Sequence, residues 1–374
     1  MQKILHLIND YAGSQVYQQL ISNLDHIGLH QKVYTGIRRN ELIGRNNIVF
    51  KSSAEEIMYS VILNNHIDRF FYKRKIYKIS QDVKSKVDID DATIIHAHTW
   101  FSDGGVAYKL SKETGKPFVI TVRNTDLNIF YKYMFHLRSY GFKILKAAER
   151  IVFISEAYFR RFEAIVGDDQ YGLLTKSVII HNGVDNFWLE NAGVKVRLKK
   201  AIPFNLLYVG RFTKGKNLIN LIKAVILLNK HRHTVSLNLV GGGGNDEQNV
   251  ISLIEQTSHV NYKGEIKDKQ KLLNIYKNND IFVMPSRGET FGLVYVEALL
   301  QGLPILYTHN EGIDGVYSGV GEAVSNFHAE EIANKLKTLI DNYDSYMFDI
   351  STIQANHNWG TIANRYIKLY QEIQ

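Results

Sequence analysis

No cysteine occurs among the 374 residues, so disulfides and thiolate metal sites are excluded and the redox compartment is unconstrained. Long apolar runs are missing as well. Lys3-Ile4-Leu5-His6-Leu7-Ile8 is too short for a secretory leader and continues straight into sequence of folded character. No stretch approaches the ~20 apolar residues that a membrane-crossing helix needs. The expectation is a protein made and kept in the cytosol. Three familiar signatures each fail on one missing part. Gly210 to Asn217 lacks the glycine spacing and the Lys-Ser/Thr pair of a Walker loop. Gly241-Gly242-Gly243-Gly244 lacks the third glycine of a dinucleotide fingerprint, because Asp246 and Glu247 stand where it would be; the run suits close backbone approach to a ligand or a simple tight turn. His96-Ala97-His98 points two rings to one face of a strand, but no third ligand neighbours them, which favours polar residues lining a cleft over zinc.

What is present fits a two-domain α/β protein. The length suffices for two cores, and 45% hydrophobic with 22% charged residues is ordinary for a globular chain. A formal charge of +8 favours anionic partners, whether nucleotide, nucleic acid or acidic lipid. Strand-like segments alternate with amphipathic helical ones: Lys3–Ile8, Val33–Thr35, Ile48–Phe50, Ala92–Ala97, Phe118–Val122, Arg150–Ile154 and Val178–Ile180, then a second set at 204–209, 235–240, 260–263, 281–284 and 305–307. That is the pattern of parallel, doubly wound sheets. The charged, aperiodic Asn191–Lys200 reads as the linker. It separates a domain of residues 1–190 from one of 201–357, and an amphipathic helix over about 358–374 closes the chain.

Two stretches are charged in distinctive ways. Asp88-Ile89-Asp90-Asp91 precedes a strand, the wrong end for a ligand of a parallel sheet, and reads as a polar turn. Residues 69–86 interleave aromatics with Arg69, Lys73, Arg74, Lys75 and Lys78, and helical spacing sets Phe70, Phe71, Ile76 and Ile79 near one side. This is either a solvated helix packing its apolar side on the core or a surface that rests on anionic lipid; no RNA-binding signature accompanies it.

Chemistry concentrates in Ser286–Gln301, SRGETFGLVYVEALLQ, which follows the strand-like Ile281–Met284. Glu289 lies on the loop and Glu297 inside the helix that opens near Gly292. Between them Phe291, Gly292 and Leu293 place backbone N–H groups at the positive end of a helix dipole, a seat for an anion. Gly210-Arg211-Phe212-Thr213-Lys214-Gly215-Lys216-Asn217 reads either as an exposed basic turn or as a loop in which Arg211 and Lys216 together balance a diphosphate without a metal, the one as a planar fork and the other as a compact charge.

These motifs, in this order, resemble the glycosyltransferases of family 4. The likeness rests on Gly210-Arg211-Phe212 with Lys216-Asn217, Val240-Gly241-Gly242-Gly243, Met284-Pro285-Ser286 through Glu289-Thr290-Phe291-Gly292-Leu293 to Glu297-Ala298, Asn182-Gly183-Val184-Asp185, and the terminal Asn358-Trp359 helix. The resemblance implies a GT-B fold: two Rossmann-like domains facing across a cleft, the first binding acceptor and the second nucleotide-sugar, with the last helix packed back on the first. It implies retaining, metal-independent transfer from a nucleoside-diphosphate-sugar to an acceptor hydroxyl by an enzyme of hexosyltransferase type, without cofactor. The suggested acceptor is a lipid-linked glycan in bacterial surface polysaccharide synthesis, reached from the cytoplasm by an enzyme expected to be cytoplasmic or peripheral on the inner face of the membrane. Arg211 and Lys216 would bind the donor diphosphate and Glu297 the ribose hydroxyls. Glu289 would hold the sugar near its anomeric carbon, Thr290 to Leu293 would complete the donor contacts, and Gly13 would approach the diphosphate. Glu289, Arg211 and Lys216 carry catalysis; His98, Asn124 and Asp126 fall on the acceptor side. Arg123 stands where many relatives have histidine, facing the donor sugar, and His181 replaces a common proline. An epimerase or hydrolase on the same fold, and a non-catalytic partner subunit, are the alternative readings.

Overall fold

The computed structural model describes residues 2–52, 55–64, 67–169, 171–193, 203–231 and 235–373. By its contacts the chain forms two compact units. The first comprises Met1–Ile154, Phe162–Gly183 and Trp359–Gln374, and the second comprises Ser155–Arg161 and Val184–Asn358. The sequence reading placed residues 155–161 and 184–190 in the first domain, whereas their contacts belong to the second unit. Trp188 on the short helix Asn186–Glu190 explains one of these differences, because its ring packs edge-on against Tyr276 at 5.3 Å. Of the expected linker, residues 194–200 lie outside the described residues.

The first unit is built on seven parallel strands in the order β3-β2-β1-β4-β5-β6-β7. They are β1 (Lys3–Leu7), β2 (His30–Ile37), β3 (Ile57–Val61), β4 (Ile94–Ala97), β5 (Phe118–Val122), β6 (Arg150–Phe153) and β7 (Ser177–Ile179). β4 and β5 are buried along their whole length, as expected of central strands covered on both faces. The expected strand at Ile48–Phe50 does not form. Ile48 and Phe50 instead lean on the core from a loop, and the third strand is Ile57–Val61, whose mixed polarity suits an edge. Asp88–Asp91 is a turn, with Asp91 paired to Lys3 and Lys32.

The helix Trp359–Gln371 buries Trp359, Ile362, Ala363, Tyr366, Leu369 and Tyr370 in one cluster with Tyr17, Leu20, Ile21 and Leu24 of the helix Gln15–His26. These are the i, i+3, i+4 positions of both helices, so the two apolar stripes form one seam. Gly183 lies against it, and a Cβ there would come within 2.6 Å of the Trp359 ring.

The second unit has six parallel strands in the order β10-β9-β8-β11-β12-β13. They are β8 (Phe204–Gly210), β9 (Val235–Gly241), β10 (Val260–Tyr262), β11 (Ile281–Val283), β12 (Ile305–Thr308) and β13 (Gly321–Val324). β13 carries little apolar patterning, and only Val324 of its four residues is buried, which is why sequence periodicity passes over it.

Residues 69–86 differ in detail from the expected helix. The helix spans Tyr72–Lys86 and buries Ile76, Ile79 and Val83, while Phe70 and Phe71 precede it and stand exposed. Lys75 and Lys78 are half-buried: Lys75 donates to Ser102 Oγ at 2.9 Å and Lys78 to the Ile62 carbonyl.

Packing at Gly183 yields a direct test. Gly183→Ala must displace the Trp359 ring, and is expected to cost about 1–3 kcal/mol in urea unfolding followed by tryptophan fluorescence. A variant as stable as the parent would contradict the seam as described.

Candidate active site

In the second unit β8 and β11 are neighbours at the point where strand order reverses, and ligands of such sheets bind beyond the carboxyl ends there. The loops leaving these two strands, with the loop after β9, are sewn to one another by backbone hydrogen bonds. The Phe212 N–H donates to the Gly243 carbonyl at 2.8 Å, the Asp246 N–H to the Phe212 carbonyl at 3.0 Å, and the Arg287 N–H to the Gly215 carbonyl at 2.6 Å. Gly244 has φ +105°, and a Cβ on it would lie 2.6 Å from the Phe212 carbonyl oxygen. The glycine run after β9 therefore serves, in this structure, the close approach of one protein loop to another.

Lys216 and Glu289, assigned separately to diphosphate and sugar, are joined here by a direct ion pair. The lysine ammonium also lies 3.6 Å from Met284 Sδ. Glu289 is held from behind: its carbonyl accepts from the Gly312 N–H at 2.8 Å. The Glu311 carboxylate accepts from the backbone N–H groups of Gly288 and Glu289, and burial holds its own pKa above the usual range. Arg161 approaches Glu311 at 3.8 Å. Tyr158 and Thr290 share a side-chain hydrogen bond. Glu311, Tyr158 and Arg161 were not singled out from sequence, because two of them come from a helix more than a hundred residues away.

The helix Leu293–Leu300 begins at Gly292, whose φ of +78° admits glycine and few other residues. A side chain there would also strike the Tyr295 ring, 2.7 Å away; that ring is fixed by a hydrogen bond from its hydroxyl to the Met284 carbonyl. Phe291 is buried beside the His357 ring at 5.3 Å. Glu297 sits on the second turn of this helix and accepts from the Tyr276 hydroxyl at 3.1 Å. Burial raises its carboxyl to about 7, helped by the charge of Asp185 and opposed by the Tyr276 hydrogen bond and Lys269. Arg211 is exposed and, among the described residues, its guanidinium makes no ion pair. One cation is thus committed to a carboxylate and the other is open to solvent.

The candidates of the first unit lie as follows. Gly13 is exposed beside Asp10, and a Cβ on it would meet Asp10 Oδ1 at 2.1 Å. Arg123 stacks over the Tyr17 ring at 5.0 Å and donates from Nη1 to Asn182 Oδ1 at 3.4 Å. Asn124 is half-buried and accepts from Asn128 Nδ2 at 2.7 Å. Asp126 and His98, expected on the acceptor side, are both fully buried. The Asp126 carboxylate accepts from the N–H groups of Trp100, Phe101 and Arg123 at 2.9, 3.0 and 2.8 Å, and burial raises it to about 6.

His98 belongs to a cluster whose third member, His6, was missed because sheet register aligns it with His96. His6 Nδ1 meets His98 Nε2 at 3.0 Å, and His96 uses both nitrogens, on Tyr370 and Thr121. His96 and His98 stack with centroids 3.9 Å apart, and one ring nitrogen from each of the three histidines lies within 4.8 Å of the other two. Burial holds all three rings well below the usual histidine range, His6 at about 3. They form a neutral hydrogen-bonded core network.

The raised pKa of Glu297 has a sign that can be measured. Between its ordinary 4.5 and about 7 the folded protein binds more protons here than the unfolded chain, so stability falls as pH rises through that window. Glu297→Gln removes this penalty. Its stability relative to the parent should climb with pH across the window by on the order of 3 kcal/mol in denaturant titrations. A difference that stays flat with pH would refute the burial argument.

Comparison with known proteins agrees with this geometry. Residues 50–186 match the family model described as Glycosyltransferase Family 4, and residues 195–354 the model described as Glycosyl transferases group 1. An uncharacterized 41.2 kDa protein in the cps region of Klebsiella pneumoniae is 33% identical over 146 residues, 39% of this chain and 38% of that one. The putative teichuronic acid biosynthesis glycosyltransferase TuaC of Bacillus subtilis is 23% identical over 75% of this chain and 70% of its own. Among solved structures, sucrose-phosphate synthase from Thermosynechococcus elongatus superposes with a TM-score of 0.74 at 21% identity, covering 100% of this chain and 99% of that one. HepE of Anabaena, solved with UDP and glucose, gives 0.67 at 19% identity with 100% of both chains covered. With one family model on its first part and the other on its second, the chain belongs to the glycosyltransferases, as a family 4 enzyme with the GT-B fold.

Proposed function

We propose that this enzyme moves a sugar, with retention of anomeric configuration, from a nucleoside-diphosphate-sugar to a hydroxyl of a lipid-linked glycan in surface polysaccharide synthesis. The observation that carries the reading is the Lys216–Glu289 ion pair at the mouth of the helix that bears Glu297, with exposed Arg211 on the same loop after β8 as Lys216. A diphosphate supplies the anion that Arg211 lacks and attracts Lys216 as well. Glu297 offers a carboxylate to the ribose hydroxyls, and Glu289 one to the hydroxyls of the sugar. The cps-region protein and TuaC support a polysaccharide setting, and the UDP and glucose bound to HepE support the donor class.

In the reaction the acceptor oxygen bonds to the anomeric carbon as the bond from that carbon to the diphosphate oxygen breaks. The electron pair leaves with the diphosphate, and the acceptor proton passes to it on the same face. Charge therefore grows on the leaving group, and in this reading Arg211, Lys216 and the helix N-terminus stabilise it. Neutralisation by these two cations makes a metal unnecessary in this reading, and no protein nucleophile is invoked. Asn124 and Arg123 are assigned to the first unit's substrate side. The enzyme would work at the cytoplasmic face of a membrane, where a lipid-linked acceptor presents its glycan.

Titration calorimetry with UDP-, GDP- and dTDP-sugars should find at least one donor, and Arg211→Ala should weaken it by about tenfold or more. Failure of every such donor to bind at millimolar concentration would end the reading. NMR of the product gives the anomeric configuration, and conversion of donor without acceptor would instead indicate an epimerase or hydrolase.

A further inference from the structure

The first unit carries a surface that no part of the site uses. Phe70 and Phe71 are 82% and 61% exposed, just before the helix Tyr72–Lys86. From a second segment Ile129, Tyr133 and Phe135 are 45%, 61% and 65% exposed. The segments meet through Phe130: the Tyr72 ring lies edge-on to it at 6.2 Å, and Lys75 Nζ is 5.8 Å from its centroid. Phe130 also stacks on the buried Phe101 at 5.0 Å, which anchors the second segment to the core. Single exposed apolar residues need no explanation, but five from two segments joined at one ring form a patch, and patches mark contact surfaces.

The charge around the patch has one sign. Lys73, Arg74 and Lys132 are exposed, Lys132 Nζ lies 5.2 Å from the Tyr133 ring, and the Arg138 guanidinium sits 4.4 Å over Phe135. Residues 69–81 and 127–148 contain no aspartate or glutamate. A protein partner for such a surface would have to be uniformly acidic around an apolar centre. A bilayer with anionic headgroups offers that arrangement without further specificity, since aromatic rings enter the interface while cations remain at headgroup level.

We propose that the two segments centred on Phe70–Phe71 and Ile129–Phe135 form one docking surface for an anionic lipid bilayer. This deepens the lipid-linked acceptor reading by naming the surface and the lipid charge. It also reassigns the basic stretch: Lys75 and Lys78 are tied inside the fold, so Lys73, Arg74 and Lys132 are the cations that meet headgroups.

The full chain is to be floated with vesicles of phosphatidylcholine alone and of phosphatidylcholine mixed with phosphatidylglycerol. Binding is expected to the mixed vesicles only and to weaken with salt. The exposed positions allow Phe70→Ser with Phe71→Ser, Tyr133→Ser with Phe135→Ser, and Lys73→Glu with Arg74→Glu to be made without entering the core. Each pair should lower the partition coefficient by about tenfold or more. Equal binding to both vesicles, no binding to either, or parent-like binding by the second aromatic pair would overturn the proposal. So would a parent that dimerises without lipid and becomes monomeric in the aromatic variants. Donor titration on the same variants separates the two readings: vesicle binding lost with donor affinity intact is expected. Loss of both together would point to damage of the fold and count against a separate lipid surface.

Discussion

The ion pair between Lys216 and Glu289 is the contact on which the second unit's site depends. It joins the loop leaving β8 to the loop leaving β11, so neither charge can be placed without the other. Both side chains are only partly exposed, at 25% and 17%, which makes removal of one partner costlier than for a surface pair because the other is left half-desolvated. A carboxylate held this way is fixed in position before any ligand arrives, and fixed charges need no reorganisation when a reaction develops charge of its own.

The surrounding structure exists to keep that pair in place. Three loops are stitched by N–H to carbonyl bonds at Phe212, Asp246 and Arg287, and Gly241 and Gly244 permit separations that any side chain would prevent. Glu311 caps the two N–H groups at Gly288 and Glu289 from one side, while Tyr295 reaches back to the Met284 carbonyl from the other. Glu297 sits deeper, on a packed helix, and its position shows in its protonation rather than in an ion pair.

Much of this was legible in the sequence, and the failures have physical reasons. Alternating apolar segments predicted both parallel sheets, since buried parallel strands are continuous apolar runs. They misplaced the third strand, because Ile48 and Phe50 bury themselves from a loop and leave the strand to Ile57–Val61. The loop glycines and glutamates stood out because their spacing is local. His6, Tyr276 and Glu311 did not, because their roles arise from register and packing between distant segments. The interior contacts of Asp126 and His98 were not legible either: one takes three backbone N–H groups and the other meets His6 across the sheet. Aromatic exposure at Phe70 and Phe71 was hidden by a helix that starts at Tyr72, just after them.

The most direct test of the central claim is a double-mutant cycle on donor affinity with Lys216→Ala, Glu289→Ala and the double variant, each titrated with the parent's best nucleotide-sugar. If the pair acts as one preorganised element, each single change should weaken binding and the double should cost less than their sum, with a coupling of about 0.5–3 kcal/mol. Strictly additive losses, or donor affinity indifferent to both residues, would contradict the account.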